Sequence, residues 1–168
     1  MSSHAWAWEP QRVRNPRSTK AAKAEADRAT SIAIREGADW SCQFVTNFDT
    51  GERCGHCFPP PTKQLQCSHI QGRGNTATRF RVSNMLALCA HHHAWIEIRP
   101  LSHRLLAEHY LGEEATDELE RLSHTVARYR KADYMAIADH MWAEFDRIRA
   151  LRAAGHRGYI QPEDWDAG

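Results

Sequence analysis

KQLQCSHIQGRGNTATRFRVSNMLALCAHHHAWIEIRP, residues 63–100, decides how this chain folds. KQLQCSHI reads as a short strand, and QGRGNTATRFRVSN, with two glycines and three arginines, as a long loop. MLALC reads as a second apolar strand, and AHHHAWIEI as a helix that Pro100 stops. The order is therefore strand, arginine-rich loop, strand, helix. Directly behind Cys89 stand His91, His92 and His93. A solvated loop has no need of three imidazoles, so this stretch points to chemistry.

Cys54-Gly-His-Cys57 is a Cys-x2-Cys knuckle, and Gly55 lets the backbone turn so that both thiolates face one point. Cys89-Ala-His-His92 supplies a second pair with the same gap, and on a helix positions i and i+3 share a face. Four such ligands in two pairs are the pattern of a closed structural Zn²⁺ site that staples the ends of the strand–loop–strand unit. Cys89-x3-His93 is also a permitted spacing and His91 is a further candidate, so the spacing alone leaves the fourth ligand open. Cys42 and Cys67 lack a paired neighbour and are expected to be packed thiols. The plainer alternative has cysteines that are merely buried and histidines that are merely exposed. Two pairs bracketing a ββ unit weigh against it. The odd count of five cysteines argues against a disulfide framework.

If Cys89 and His92 turn to zinc, His93 is rotated to a different helical face and looks back at the hairpin. There His69 ends the first strand and Asn84 opens the second. In the order strand, strand, helix, His69, Asn84 and His93 resemble the HNH endonucleases, which use the ββα-metal fold. The zinc-stapled members place a Cys-x2-Cys pair before the first histidine and a second pair immediately before the last. Cys54/Cys57 and Cys89/His92 followed by His93 match that pattern, with His92 in place of the usual fourth cysteine. Over about residues 52–112 the wording is similar to the phage recombination endonucleases of the NinG/Rap kind.

The resemblance implies an α+β fold with a zinc-stapled ββα-metal (HNH) core, flanked by an N-terminal helix and C-terminal helices. It implies a metal-dependent DNA endonuclease, a hydrolase acting on phosphodiester bonds by nicking, double-strand or branched-DNA cleavage. His69 would be the general base that activates water. Asn84 would orient that base and tie the loop, and His93 would be a ligand of a catalytic Mg²⁺ or Mn²⁺. One position departs from the pattern: many members carry Asp or His where this chain has Ser68.

Composition bounds the rest. A chain of 168 residues suits one domain with tails, and 42% hydrophobic with 26% charged residues is ordinary for a globular protein. No run of ~18 apolar residues exists, which excludes a membrane-spanning helix. The first residues lack a signal core, so a cytoplasmic location (a bacterial host cell, or a phage-encoded protein within it) is expected. The net charge of +1 conceals an asymmetry. From Ser41 to Pro100 the bases are Arg53, Lys63, Arg73, Arg79, Arg81 and Arg99 against Asp49, Glu52 and Glu97, whereas acids prevail afterwards. A cationic middle suits DNA as partner, with Arg73, Arg79 and Arg81 on phosphates.

The expected organisation is a flexible basic arm over 1–17, with Trp6 and Trp8 as candidate base-stacking residues, and a lightly packed, alanine-rich helix over 18–39. A nuclease core spans 40–112, loop-like from 40 to 63. C-terminal helices at 113–154 are candidates for a homodimer or for docking a phage protein, and an irregular tail covers 155–168. The rival function is a non-catalytic, zinc-stapled DNA- or partner-binding module of a phage, which has no use for His69 together with His93. A hydrolase working at the cage itself fails, because four protein ligands leave no open position.

Overall fold

The computed structural model describes residues 8–165. Ser18 opens helix α1 (Thr19–Gly37): its side chain accepts a hydrogen bond from the Ala21 amide, one of the donors that a helix start leaves unpaired. The alanines do not make α1 a lightly packed helix. Ala22, Ala26, Ala29 and Ala33 are fully buried, because small side chains let the long α5 (Lys131–Ala153) approach closely. Arg152 of α5 donates to the Glu36 and Gly37 carbonyls, so one buried guanidinium caps the end of α1.

The segment 40–63 contains a small hairpin where only loop was expected. β1 (Val45–Asn47) pairs antiparallel with β2 (Glu52–Arg53), and the turn is held by Asn47 Oδ1, which accepts from the Asp49 and Thr50 amides. Strand β3 (Leu65–His69) then pairs antiparallel with β4 (Met85–Cys89) in the register Leu65 opposite Cys89 and His69 opposite Met85. Every residue of β4 is buried, which is why MLALC reads as an unbroken apolar run. Helix α2 (Ala90–Glu97) leaves β4 directly, and Pro100 restarts the chain as α3 (Pro100–Leu111), ended by Gly112 at φ 83°. α4 (Glu113–Ser123) lies against α3. Among the described residues, five α-helices and two small antiparallel sheets make the fold α+β, and no helix is long and apolar enough to cross a membrane.

Residues 8–17, expected as a free arm, are anchored where described. Trp8 sits edge-on to Trp40 at 5.7 Å, and Arg12 pairs with Asp146 at 2.6 Å. The Val13 amide donates to Glu25. Trp6 lies outside the described residues. Residues 155–165 of the tail carry no helix or strand and are docked: Ile160 donates its amide to the Gly37 carbonyl.

The loop between β3 and β4 is tied by Asn84, which is fully buried. Its amide group donates to the Gln71 and Thr78 carbonyls at 2.9 and 3.0 Å, and its oxygen accepts from the Gln71 amide at 2.6 Å. Truncation would leave these groups buried without partners. Asn84→Ala is expected to cost about 2–4 kcal/mol in urea unfolding. An unshifted midpoint would mean that the loop holds its shape without this residue.

Candidate metal centre and adjoining cleft

Where the chain just before β1, the chain just after β2 and the junction of β4 with α2 come together, Cys42, Cys54, Cys89 and His92 place their ligand atoms within 4.8 Å of one another. His92 Nδ1 is 3.2 Å from Cys89 Sγ and 3.6 Å from Cys42 Sγ. A tetrahedral ion with Zn–S near ~2.3 Å and Zn–N near ~2.05 Å requires S···N separations of roughly 3.5 Å, so the donor set fits Zn²⁺ in chemistry and in span. Phe44 stacks on the His92 ring at 4.1 Å and fixes its plane. Burial, then neighbouring His91 and His56, lower the His92 pKa, which keeps the imidazole neutral as a ligand must be. Burial pushes the metal-free Cys42 thiol up to about 12, so its thiolate needs a cation beside it.

Three of the expected ligands, Cys54, Cys89 and His92, are in this set, but Cys57 is not. Ser41 bridges to Cys57 in antiparallel fashion, so those two side chains share one face and Cys42, one residue along, turns to the other. Cys57 is exposed, with its thiol 4.0 Å from the Asp39 carbonyl. Gly55 has the positive φ, 62°, that the turn demands, yet the turn brings in only Cys54. Cys42 is therefore a member of the cluster and not merely a packed thiol; Cys67, at 4% exposure, is packed. The signal for Cys42 was the alternation in Ser-Cys-Gln-Phe, which puts Cys42 on the same side as the Phe44 that stacks on His92.

His69 and His93 are absent from that cluster and line a different space. An open cleft of about 640 Å³ runs along the free edge of β3, between α1 and α2, walled by Arg35, Lys63, Gln66, His69, Arg73, His93 and Glu97 among others. Arg35 donates to the Leu65 carbonyl and Arg73 to the Cys67 carbonyl, so two cations cover the edge that β4 leaves unpaired. Three fixed cations face a single carboxylate, Glu97, which suits an anionic occupant. His93 Nδ1 meets Gln66 Oε1 at 2.6 Å, and its Nε2 lies 3.4 Å from Glu97 Oε1. Arg35, Gln66 and Glu97 escaped the sequence reading because they adjoin the histidines only in space, apart from the i, i+4 relation of Glu97 to His93.

His69 lies between Arg79 and Arg73. Its Nε2 is 3.3 Å from the Arg79 carbonyl, which can only accept, so this nitrogen carries the proton. Nδ1 is left as acceptor and receives Arg73 Nε at 3.3 Å. Burial, then the Arg73 cation, lower the His69 pKa from 6.5 to about 4. The folded state therefore resists a proton that the unfolded chain accepts below 6.5. This contributes stability above that pH, at most about 3 kcal/mol, which is lost as pH falls toward 4. In NMR the His69 ring signals are expected to stay flat from pH 8 to 5.5; a midpoint near 6.5 would contradict this environment.

The arginines of the loop divide. Arg73 lines the cleft. Arg79, expected on phosphate, is instead bound to Asp27 of α1 by two hydrogen bonds of 3.0 and 2.7 Å and pins the loop to that helix. Arg81 is exposed on the other side of the loop and lines a separate hollow. Asn84 braces the loop from Gln71 to Thr78 and makes no hydrogen bond to the His69 ring among the described residues. Compared with family models, with curated proteins and with solved structures, the chain finds no match in any of the three.

Proposed function

We propose that the protein is a metal-dependent endonuclease of the HNH kind that hydrolyses phosphodiester bonds in DNA, and that its Cys42, Cys54, Cys89 and His92 hold a structural Zn²⁺. The observation that carries this reading is the division of labour between adjacent histidines. His92 belongs to a closed cluster, whereas His93 faces, together with His69, an open cationic cleft. A closed four-ligand site braces a fold, and an open site with a neutral imidazole can serve hydrolysis.

His69 is the base in this reading: Nε2–H is held by the Arg79 carbonyl, and Nδ1 keeps its lone pair for the proton of an attacking water. Arg73 now caps that nitrogen. A phosphate entering the cleft draws the guanidinium to itself and uncovers Nδ1, so substrate binding and base exposure are coupled. His93 and Glu97 would hold a divalent Mg²⁺ or Mn²⁺, with Glu97 supplying the hard oxygen that Ser68 does not. Such an ion supplies Lewis-acid stabilisation of the phosphate and the leaving 3′ oxygen. Arg35 and Lys63 orient the backbone.

A supercoiled-plasmid assay tests this. Relaxation is expected with added Mg²⁺ or Mn²⁺ and none in excess chelator short enough to leave the zinc in place. A non-catalytic binding module would retard the plasmid in gels without nicking it under either condition.

A further inference from the structure

We propose that the hollow on the far side of the arginine-rich loop is a second nucleic-acid site, which takes an unpaired nucleotide of the substrate strand. This deepens the nuclease reading and rests on it. The hollow measures about 690 Å³, within the range of small-ligand sites, and is walled by Phe80, Arg81, Arg128, Tyr129, Asp133 and Trp165 among others.

Its chemistry is that of a nucleotide, with flat rings beside free cations. Tyr129 stands edge-on to Phe80 at 5.7 Å and tilted by 59° to Trp165 at 6.4 Å. Phe80 is buried beneath the other rings, whereas Tyr129 and Trp165 are half-buried and tilted to each other, so these two offer the hollow a surface for a third flat partner. Arg81 and Arg128 are both exposed, and neither guanidinium makes a hydrogen bond or ion pair among the described residues. That sets them apart from Arg79 and Arg104, which are tied to carboxylates. The acid on the wall, Asp133, is engaged by the Arg130 amide and side chain at the start of α5, and Glu118, which feels the Arg81 charge, is hydrogen-bonded to Arg121, so both guanidinium groups keep their donors for a ligand. A base can stack on the rings while its flanking phosphates meet the guanidinium groups. Bases inside a duplex expose no ring face, so the occupant is an unpaired nucleotide.

The same loop serves both places: Arg73 lines the cleft, and Phe80 and Arg81 line the hollow. Eight residue steps separate Arg73 from Arg81, at most ~28 Å of chain, and the turns within the loop shorten this. One strand, at ~3.4 Å per base step in a duplex, spans that distance within about eight nucleotides. A strand cut in the cleft can therefore have an unpaired neighbour held in the hollow.

The test uses the full chain and two hexamers, (dT)6 and an abasic hexamer with the same phosphates, with affinity read by anisotropy over a range of salt. Parent protein is expected to bind (dT)6 about tenfold more tightly than the abasic strand, and Tyr129→Ala and Trp165→Ala to remove that difference. Arg81→Ala with Arg128→Ala is expected to weaken both strands and to lower the salt slope by about 1.4. Thermal melting of each variant separates loss of the site from loss of the fold, and the exposed arginine pair remains a test if Tyr129→Ala unfolds. Equal binding of the two hexamers by the parent would overturn the proposal. So would unchanged (dT)6 affinity in the ring variants together with an unchanged salt slope in the arginine pair. Its failure is separable from that of the nuclease reading: plasmid nicking that needs His69 stands without the hollow, and ring-dependent (dT)6 binding by a protein that never nicks sinks only the nuclease.

Discussion

Cys42→Ser is expected to lose the metal and unfold the central unit, whereas Cys57→Ser is expected to keep both. A structural zinc in a small domain contributes about 10–16 kcal/mol of binding free energy that is also folding free energy. The net stability of a whole domain is only about 5–15 kcal/mol, so removal of one ligand exceeds the margin. Cys42 provides one corner of the cluster, and its sulfur also accepts the Cys89 amide at 3.2 Å, so the substitution disturbs β4 as well as the ion. Cys57 is exposed, and among the described residues its thiol meets the Asp39 carbonyl at 4.0 Å, so a hydroxyl serves there equally well. Zinc content by elemental analysis and melting by circular dichroism are the measurements. The result that would reverse the ligand assignment is full metal content in Cys42→Ser together with its loss in Cys57→Ser.

That pair of cysteines marks where the sequence stops being legible. Two-residue gaps announce ligands, because a single turn of chain can bring both donors to one point, and Cys54, Cys89 and His92 were found this way. Cys42 lies twelve positions before Cys54 and reaches the cluster through the pairing of Ser41 with Cys57. That is a non-local contact which no spacing rule encodes. The succession strand, loop, strand, helix was readable because its signals are local: an apolar run, a glycine-rich break and a proline stop. The depth of α1 was not. Its alanines score weakly as hydrophobic, yet their small size is what lets α5 close over them.

The loop arginines show the same limit. Their charge pointed to phosphate, but charge says nothing of direction. Asp27 on a distant helix claims Arg79, and the turn at Phe80 sends Arg81 to the opposite side from Arg73. The cleft's own cations include Arg35, which on sequence alone is an ordinary last-turn helix residue. Asn84 was expected to orient His69. Its hydrogen bonds brace the loop that carries Arg79, whose carbonyl meets the imidazole. Its influence on that imidazole is therefore exerted through backbone.

His69→Ala is expected to lower plasmid nicking by a factor of about 10²–10⁴ while zinc content and melting temperature stay near those of the parent. A positioned base supplies an effect of that size. The imidazole is available as an acceptor, since burial and Arg73 hold it neutral well below pH 7, and it becomes a stronger base as a phosphate draws Arg73 away. Removing it takes two contacts of 3.3 Å and leaves the cage ligands untouched. Glu97→Gln provides the second arm. Glu97 is exposed on α2, so the amide should not disturb folding, yet it weakens the carboxylate end of the His93 pair. Its defect should therefore shrink as Mg²⁺ or Mn²⁺ is raised, as expected of a weakened ligand, whereas the His69→Ala defect should not respond to the ion. Equal nicking by parent and His69→Ala would remove this imidazole from the chemistry. A His69 defect cured by added metal would instead make it a ligand and leave the base to another group in the cleft.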